Sequence, residues 1–338
     1  MESAQKIHSP SSILHPRPVL IAGPTATGKS EVALRLAEII EGEIISVDSM
    51  QVYRGLDIGS AKPSATDRAR IPHHLIDVME LTEPFDAAKF VVLANQAVAE
   101  IQSRGRVPIL CGGTGLYFKA FLDGLGEAPP SDAALRAELE ATPQETLLRE
   151  LSEHDPTTFK KIDRKNPRRV IRAIEVVRLT GRPFSEQRAE WDHASRLAAS
   201  KRSEHGNTHH AFGITRAQED LHLRINTRVD EMFQRGLVDE TRHLLERGLA
   251  QNQTALQAIG YRQVAEHLRG ERSLDETIEL VTSRTRQFAK RQLTWFRKHA
   301  QLNWIEIAPG ECATAAVERM VAAVGVQASA CPSVQNVG

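Results

Sequence analysis

At 338 residues with 41% hydrophobic side chains, the chain is long enough to bury a sizeable core, as one large domain with an insertion or as two modest ones. Its 43 basic and 43 acidic residues cancel, so any polyanionic partner must be met by a local basic patch and not by a global field. Three widely spaced cysteines, Cys111, Cys312 and Cys331, argue against a disulfide framework and a cysteine-based zinc site and point to a reducing, cytoplasmic setting. The first residues carry no apolar leader segment, and no run approaches the roughly 18 apolar residues of a membrane span, so no membrane partner is expected.

Residues 1–17, rich in Ser and Pro, read as a disordered arm. An apolar run from Val19 then leads straight into Gly23, Pro24, Thr25, Ala26, Thr27, Gly28, Lys29 and Ser30, a full match to G-x-x-x-x-G-K-[ST]. The glycines let the backbone curl so that successive N–H groups face inward. Lys29 adds a point charge, and a helix opening near Ser30 presents the positive end of its dipole. Helical apolar spacing follows in EVALRLAEII, Glu31 to Ile40. Such a cradle holds a diphosphate or triphosphate ester, with Mg²⁺ held partly by the Ser30 hydroxyl; it does not by itself say what chemistry follows.

Glu43 to Val47 reads as a second strand, ending at Asp48. Ligand groups gather at the carboxyl ends of strands in open parallel sheets, so Asp48 is expected near the cradle as either a metal ligand or a general base. Asp57 to Arg70 is a polar loop, His74 to Val78 a further strand, and Phe85 to Ser103 has helix spacing. Val107 to Cys111 is a buried strand running into a second glycine-rich corner, Gly112, Gly113, Thr114 and Gly115. Strand-like runs vanish between about 127 and 208, where Asp132 is placed to cap a helix over Ala133 to Glu140. A polar linker, Ser200 to His210, precedes a returning strand, Ala211 to Thr215. Helices continue to about His299, Asn303 to Ile307 forms a closing strand, and residues 309–338 are expected to be a flexible tail. The fold class is therefore α/β: a P-loop NTPase-like parallel-sheet core from 18–126 plus 209–308, interrupted by a helical insertion at 127–208.

Two basic clusters stand out. Lys160 to Arg182 holds nine Lys or Arg against two acids, and Arg284 to Lys298 holds six with none. Each is either a solvated helix face or a phosphate-binding strip; Arg168, Arg169 and Arg172 recur at near-helical spacing. Phe288, Trp295 and Phe296 lie within the second cluster at a spacing that favours core over base-stacking platforms.

The runs GPTATGKS at 23–30, DSMQVYRGLDIGSAKP at 48–63, HHLIDV at 73–78 and GGTGLY at 112–117 resemble the tRNA dimethylallyltransferase (tRNA isopentenyltransferase) family of bacterial type. So do RRVIRAIEV at 168–176, RINTRVDEMFQRGLVDE at 224–240, AIGYRQ at 258–263 and TRQFAKRQLTWFR at 285–297. The resemblance implies a transferase that moves the dimethylallyl group of dimethylallyl diphosphate to the exocyclic amine of adenosine 37, next to the tRNA anticodon. It implies Asp48 as the base, Thr114 beside it at the target nucleotide, Arg224 on the leaving group, and the 23–30 loop with Mg²⁺ at Ser30 as the diphosphate site. A second family arginine falls at Gln218 in this chain, and Arg216 is the nearby candidate to replace it. Contacts to the tRNA anticodon stem-loop are implied for Asp48, Ser49, Met50 and Gln51, for Thr114 and Arg136, for Arg168, Arg169, Val170, Ile171 and Arg172, and for Ala258, Ile259, Gly260, Tyr261, Arg262 and Gln263. No Cys or His pairs stand at ligand spacing, so the zinc module of larger relatives is not expected; a monomer is. The alternatives are a nucleoside or nucleotide kinase, since the cradle can also accept ATP, and a non-catalytic RNA-binding protein.

Overall fold

The computed structural model describes residues 16–187, 210–252 and 254–324. Most of the expected N-terminal arm and of the 200–210 linker lies outside them. The described residues carry one six-stranded sheet, built from β1 (Val19–Ala22), β2 (Gly42–Val47), β3 (His73–His74), β4 (Val107–Gly112), β5 (His210–Thr215) and β6 (Asn303–Glu306). The order is β3-β2-β4-β1-β5-β6, and every pairing is parallel. VLIA in β1 is buried at all four positions, as a central strand covered on both faces must be. Because β1 lies between β4 and β5, the loops leaving these strands converge at one carboxyl edge.

The strand expected over His74–Val78 stops at His74, because Leu75 and Asp77 take φ of 61° and 57° and break the extended run. Helix α1 (Lys29–Ile39) buries Val32, Ala33, Leu36 and Ala37, one face at helical spacing, in the core formed with β1, β4 and β5. The stretch beyond Gly310 departs from the expected tail: Ala313–Val324 is a helix. Its Ala316, Val317 and Met320 fall on one face and are fully buried in the α1 core, so small apolar residues at helical spacing supply packing and not looseness.

The chain divides into two compact units. One comprises 1–86, 92–117 and 208–338 and contains the sheet; the other comprises 87–91 and 118–207. The second is helical among its described residues, with a core of Leu139, Leu147, Leu151, Val170, Ala173 and Ile174. Asp132 caps the helix Ala133–Ala141 by accepting from the Leu135 amide, and Asn166 followed by Pro167 opens the helix Pro167–Thr180. No helix among the described residues is long and apolar enough to cross a membrane.

Candidate active site

The cradle follows β1 directly. Gly23, at φ 145°, lies so near β5 that a Cβ would sit 2.4 Å from the Ile214 carbonyl oxygen, and Gly28 at φ 93° turns the chain into α1. Between them Ala26 holds φ 64°, a left-handed conformation uncommon for a residue with a side chain. Thr27 is buried and its hydroxyl donates to the Pro24 carbonyl at 2.9 Å, while the Lys29 ammonium also donates to that carbonyl. Burial pushes the Lys29 pKa down to about 8; Cys111 raises it, Arg228 lowers it and Asp48 raises it. Ser30 is exposed on the rim.

Two arginines clasp the loop from the same side. The helix Gln218–Gln234 brings up Arg224, whose Nε donates to the Ala26 carbonyl at 2.9 Å. Arg216, at the end of β5, donates its Nε to the Thr27 carbonyl at 2.9 Å and is held in turn by Asp220 at 2.8 Å. Gln218 itself is exposed at the first position of the helix. Arg216 therefore occupies the loop where the position at 218 carries no charge. One turn beyond Arg224, Arg228 feels Asp48 and Glu231, which oppose the lowering of its pKa by burial. Arg224, Arg228 and Glu231, with Lys29, Ser30, Ile58 and Met232, line a cleft of about 450 Å³.

Asp48 leaves the end of β2. Its Oδ1 accepts from the Met50 amide at 2.8 Å and the Gln51 amide at 3.3 Å, which orients the carboxylate at the turn. Thr114 stands alongside, its hydroxyl accepting from the Ser49 amide at 3.2 Å. Neither Asp48 nor Thr114 is in the cleft wall, but the charge of Asp48 acts to raise the pKa of both Lys29 and Arg228, which are. Gln51 faces inward, accepting from the Ser46 hydroxyl at 2.8 Å and donating to the Ser60 and Ala61 carbonyls at 3.2 Å, so it braces the 51–61 loop.

Several residues expected to meet RNA are taken up by packing instead. Tyr261 is fully buried, its hydroxyl donating to Glu240 at 2.6 Å while it accepts from the Gly59 amide at 3.1 Å. Gln263 is 8% exposed and caps the amide of Gly260 at 2.9 Å. Val170 and Ile171 belong to the core of the helical unit. The expected guanidinium row also changes: Arg172 pairs with the fully buried Glu175 at 2.6 Å, and Arg136 approaches the same carboxylate at 3.9 Å. Burial would raise the pKa of Glu175, but Ser131, Arg172 and Arg136 outweigh it and hold the group below its usual range. Arg168, Arg169 and Arg262 remain exposed, while Ala258 and Ile259 are half-buried. Among the aromatics of the second cluster Phe296 is fully buried as expected, but Phe288 is 38% exposed.

Gln292, a polar residue that no motif marks, reaches the cradle from the far end of the chain: its Oε1 accepts from the Thr25 amide at 2.9 Å. It lies within the TRQFAKRQLTWFR run, where a neutral amide among basic residues carries no sequence signal of its own. As for a metal, no group of three or more His, Cys, Asp or Glu side chains stands at ligand spacing among the described residues. A cation here would draw its oxygens from the bound ester, water and the Ser30 hydroxyl, a donor set that suits Mg²⁺.

An all-parallel sheet with a glycine-rich loop leaving its central strand, and two arginines reaching the carbonyls of that loop, is a P-loop-like α/β fold. The chain belongs to the IPP transferase family, whose sequence profile matches residues 51–299. It is 47% identical over 296 residues to tRNA dimethylallyltransferase 1 of Trichlorobacter lovleyi, covering 86% of this chain and 94% of that protein. Among solved structures it resembles the tRNA isopentenylpyrophosphate transferase of Bacillus halodurans, at 39% identity and TM-score 0.65, covering 91% of this chain and 96% of that one. It also resembles a eukaryotic dimethylallyltransferase acting on tRNA, at 26% identity and TM-score 0.72, covering 92% and 79%.

Proposed function

We propose that this chain carries out its family's prenyl transfer with Asp48 as the base, moving the dimethylallyl group of dimethylallyl diphosphate to the exocyclic amine of adenosine 37 in tRNA. The observation that carries this reading is the approach of Arg216 and Arg224 to the carbonyls of Thr27 and Ala26, which puts two guanidinium groups over a loop already served by Lys29. Breaking the carbon–oxygen bond leaves negative charge on the diphosphate, and preorganised cations at that point stabilise the transition state more than the ground state. Mg²⁺ held in part by Ser30 would supply further Lewis-acid neutralisation of the same charge.

The acceptor amine donates its lone pair into the purine ring and is a poor nucleophile. Asp48, oriented by the Met50 and Gln51 amides, accepts the amine proton as the new carbon–nitrogen bond forms. Thr114 supports the base by fixing the Ser49 amide next to it. The target base must leave its stack to reach such a site, which costs a few kcal/mol and is cheapest in a single-stranded loop. The exposed Arg168, Arg169 and Arg262 offer charges for the tRNA backbone, with residues 127–208 as an insertion serving the anticodon stem. The enzyme acts as a cytoplasmic monomer.

The test is nucleoside mass analysis after incubation with Mg²⁺, unmodified tRNA with adenosine 3′ of the anticodon, and either dimethylallyl diphosphate or ATP. One prenyl unit gained on that adenosine, with dimethylallyl diphosphate only, is the expected result. Phosphate release or transfer from ATP without prenyl gain would replace the reading with a kinase, and neither activity with retained tRNA binding would leave an RNA-binding protein.

A further inference from the structure

The phosphate cradle and the Gly112–Gly115 corner hang from neighbouring strands, β1 and β4, but their pairing ends at Ala22 opposite Gly112. Beyond that point no ladder hydrogen bond keeps the two loops in register. Gln292, on the long helix Leu274–His299, spans the gap with one side-chain amide: Oε1 accepts from the Thr25 amide at 2.9 Å, and Nε2 donates to the Gly113 carbonyl at 2.9 Å. With 8% exposure, both ends of the amide are used inside the protein. The Thr25 N–H is thereby committed, so the cradle's anion-facing donors begin after it.

The far side of the same peptide is also held. The Gly113 carbonyl shares its peptide plane with the Thr114 N–H, which donates to the Val47 carbonyl at 3.2 Å, one residue before Asp48. On the other side of Asp48, the Ser49 amide donates to the Thr114 hydroxyl at 3.2 Å. A continuous series of hydrogen bonds thus runs from Thr25 through Gln292 and the Gly113–Thr114 peptide to both neighbours of Asp48. The glycines of the corner are shaped for this helix. A Cβ on Gly113 would sit 2.3 Å from the Gln292 Nε2, and one on Gly115 would sit 2.2 Å from the ring of Trp295, three residues further along the same helix.

We propose that Gln292 is a positioning residue for prenyl transfer, whose amide sets the spacing between the diphosphate cradle and the base Asp48. The inference rests on the reading of Asp48 given above. Rate in such a reaction depends on alignment of donor carbon and acceptor amine, and a misplacement of about 1 Å can cost on the order of 100-fold. Binding of either substrate alone does not need that spacing, so the amide should matter to turnover and little to affinity.

The test uses Gln292→Met, which keeps length and bulk without an amide, and Gln292→Glu, which keeps the acceptor for Thr25 but sets an oxygen against the Gly113 carbonyl. For the full chain, kcat is measured per active site titrated with dimethylallyl diphosphate, so misfolded protein is not counted. KM for each substrate and Tm accompany it, with Asp48→Asn run in parallel. The expected result is a kcat about 10- to 100-fold lower in both Gln292 variants, with KM values within about threefold of the parent and a larger kcat loss in Asp48→Asn. Parental kcat per site in Gln292→Met, or a loss confined to KM, overturns the inference. An Asp48→Asn enzyme with parental kcat overturns the base assignment and the inference with it. A disabled Asp48→Asn beside an unimpaired Gln292→Met overturns the inference alone.

Discussion

Lys29 gives a prediction whose size follows from its surroundings. With burial pulling its pKa to about 8, roughly nine-tenths of the side chain is charged at pH 7 and roughly one-tenth at pH 9. A bound diphosphate places opposite charge beside the ammonium and raises the pKa again, so binding favours the protonated form. Affinity should therefore fall about tenfold from pH 7 to pH 9, and proton uptake per site should rise from about 0.1 to about 0.9. The ester's own second ionisation, with a pKa of about 6, is about nine-tenths complete at pH 7 and contributes little above it. Calorimetric titration of dimethylallyl diphosphate at fixed Mg²⁺, in buffers of different ionisation enthalpy, reads both quantities, and Lys29→Met should bind weakly with no pH dependence. The sign on stability is opposite. Between pH 8 and 10.5 the unfolded chain, with the ordinary pKa of 10.5, holds more protons at this residue than the folded one, so the Lys29 contribution to ligand-free stability rises with pH there. A dissociation constant flat within twofold from pH 7 to 9, without proton uptake, would refute the reasoning.

Arg216→Ala and Arg224→Ala should each lower single-turnover rate by about 10²- to 10³-fold, the cost of removing one donor from developing charge, while tRNA binding in a filter assay stays within about twofold. Glu175→Ala should destabilise the helical unit by roughly 2–3 kcal/mol, less than the ~3–5 of a broken fully buried pair, because the Arg136 and Arg172 side chains are 36% and 29% exposed and can turn to water. Limited proteolysis of residues 118–187 reads that change. Phe296→Ala should cost about 3–5 kcal/mol by thermal unfolding, and the partly exposed Phe288→Ala distinctly less, about 1–2 kcal/mol.

Much of the sheet was legible because central parallel strands are short apolar runs bounded by glycine or polar residues. VLIA, EIISV and VPILC state both their secondary structure and, through the residues that follow them, the edge where ligands gather. Side-chain direction was less legible. In RRVIRAIEV five consecutive residues send Arg168 and Arg169 outward, Val170 and Ile171 into the core, and Arg172 onto a buried carboxylate, so the charge of the block does not mark one surface. The pairing of Arg216 with Thr27 lay beyond reading because 189 residues separate them, and proximity in sequence to position 218 only hinted at it. Ala313–Val324 was not legible as core because its small apolar residues carry little hydrophobic weight singly; their partner, α1, is what makes them core.

The joint between Thr25 and Gln292 spans 267 residues, and β1 finds its neighbour β5 only at His210. On a ribosome, the phosphate loop is therefore made early and finished late. Contacts of such sequence separation fold slowly, since loop closure must be met before they are rewarded. A nascent chain that stalls before residue 292 carries the whole cradle sequence without the hydrogen bond that ties Thr25 to the long C-terminal helix.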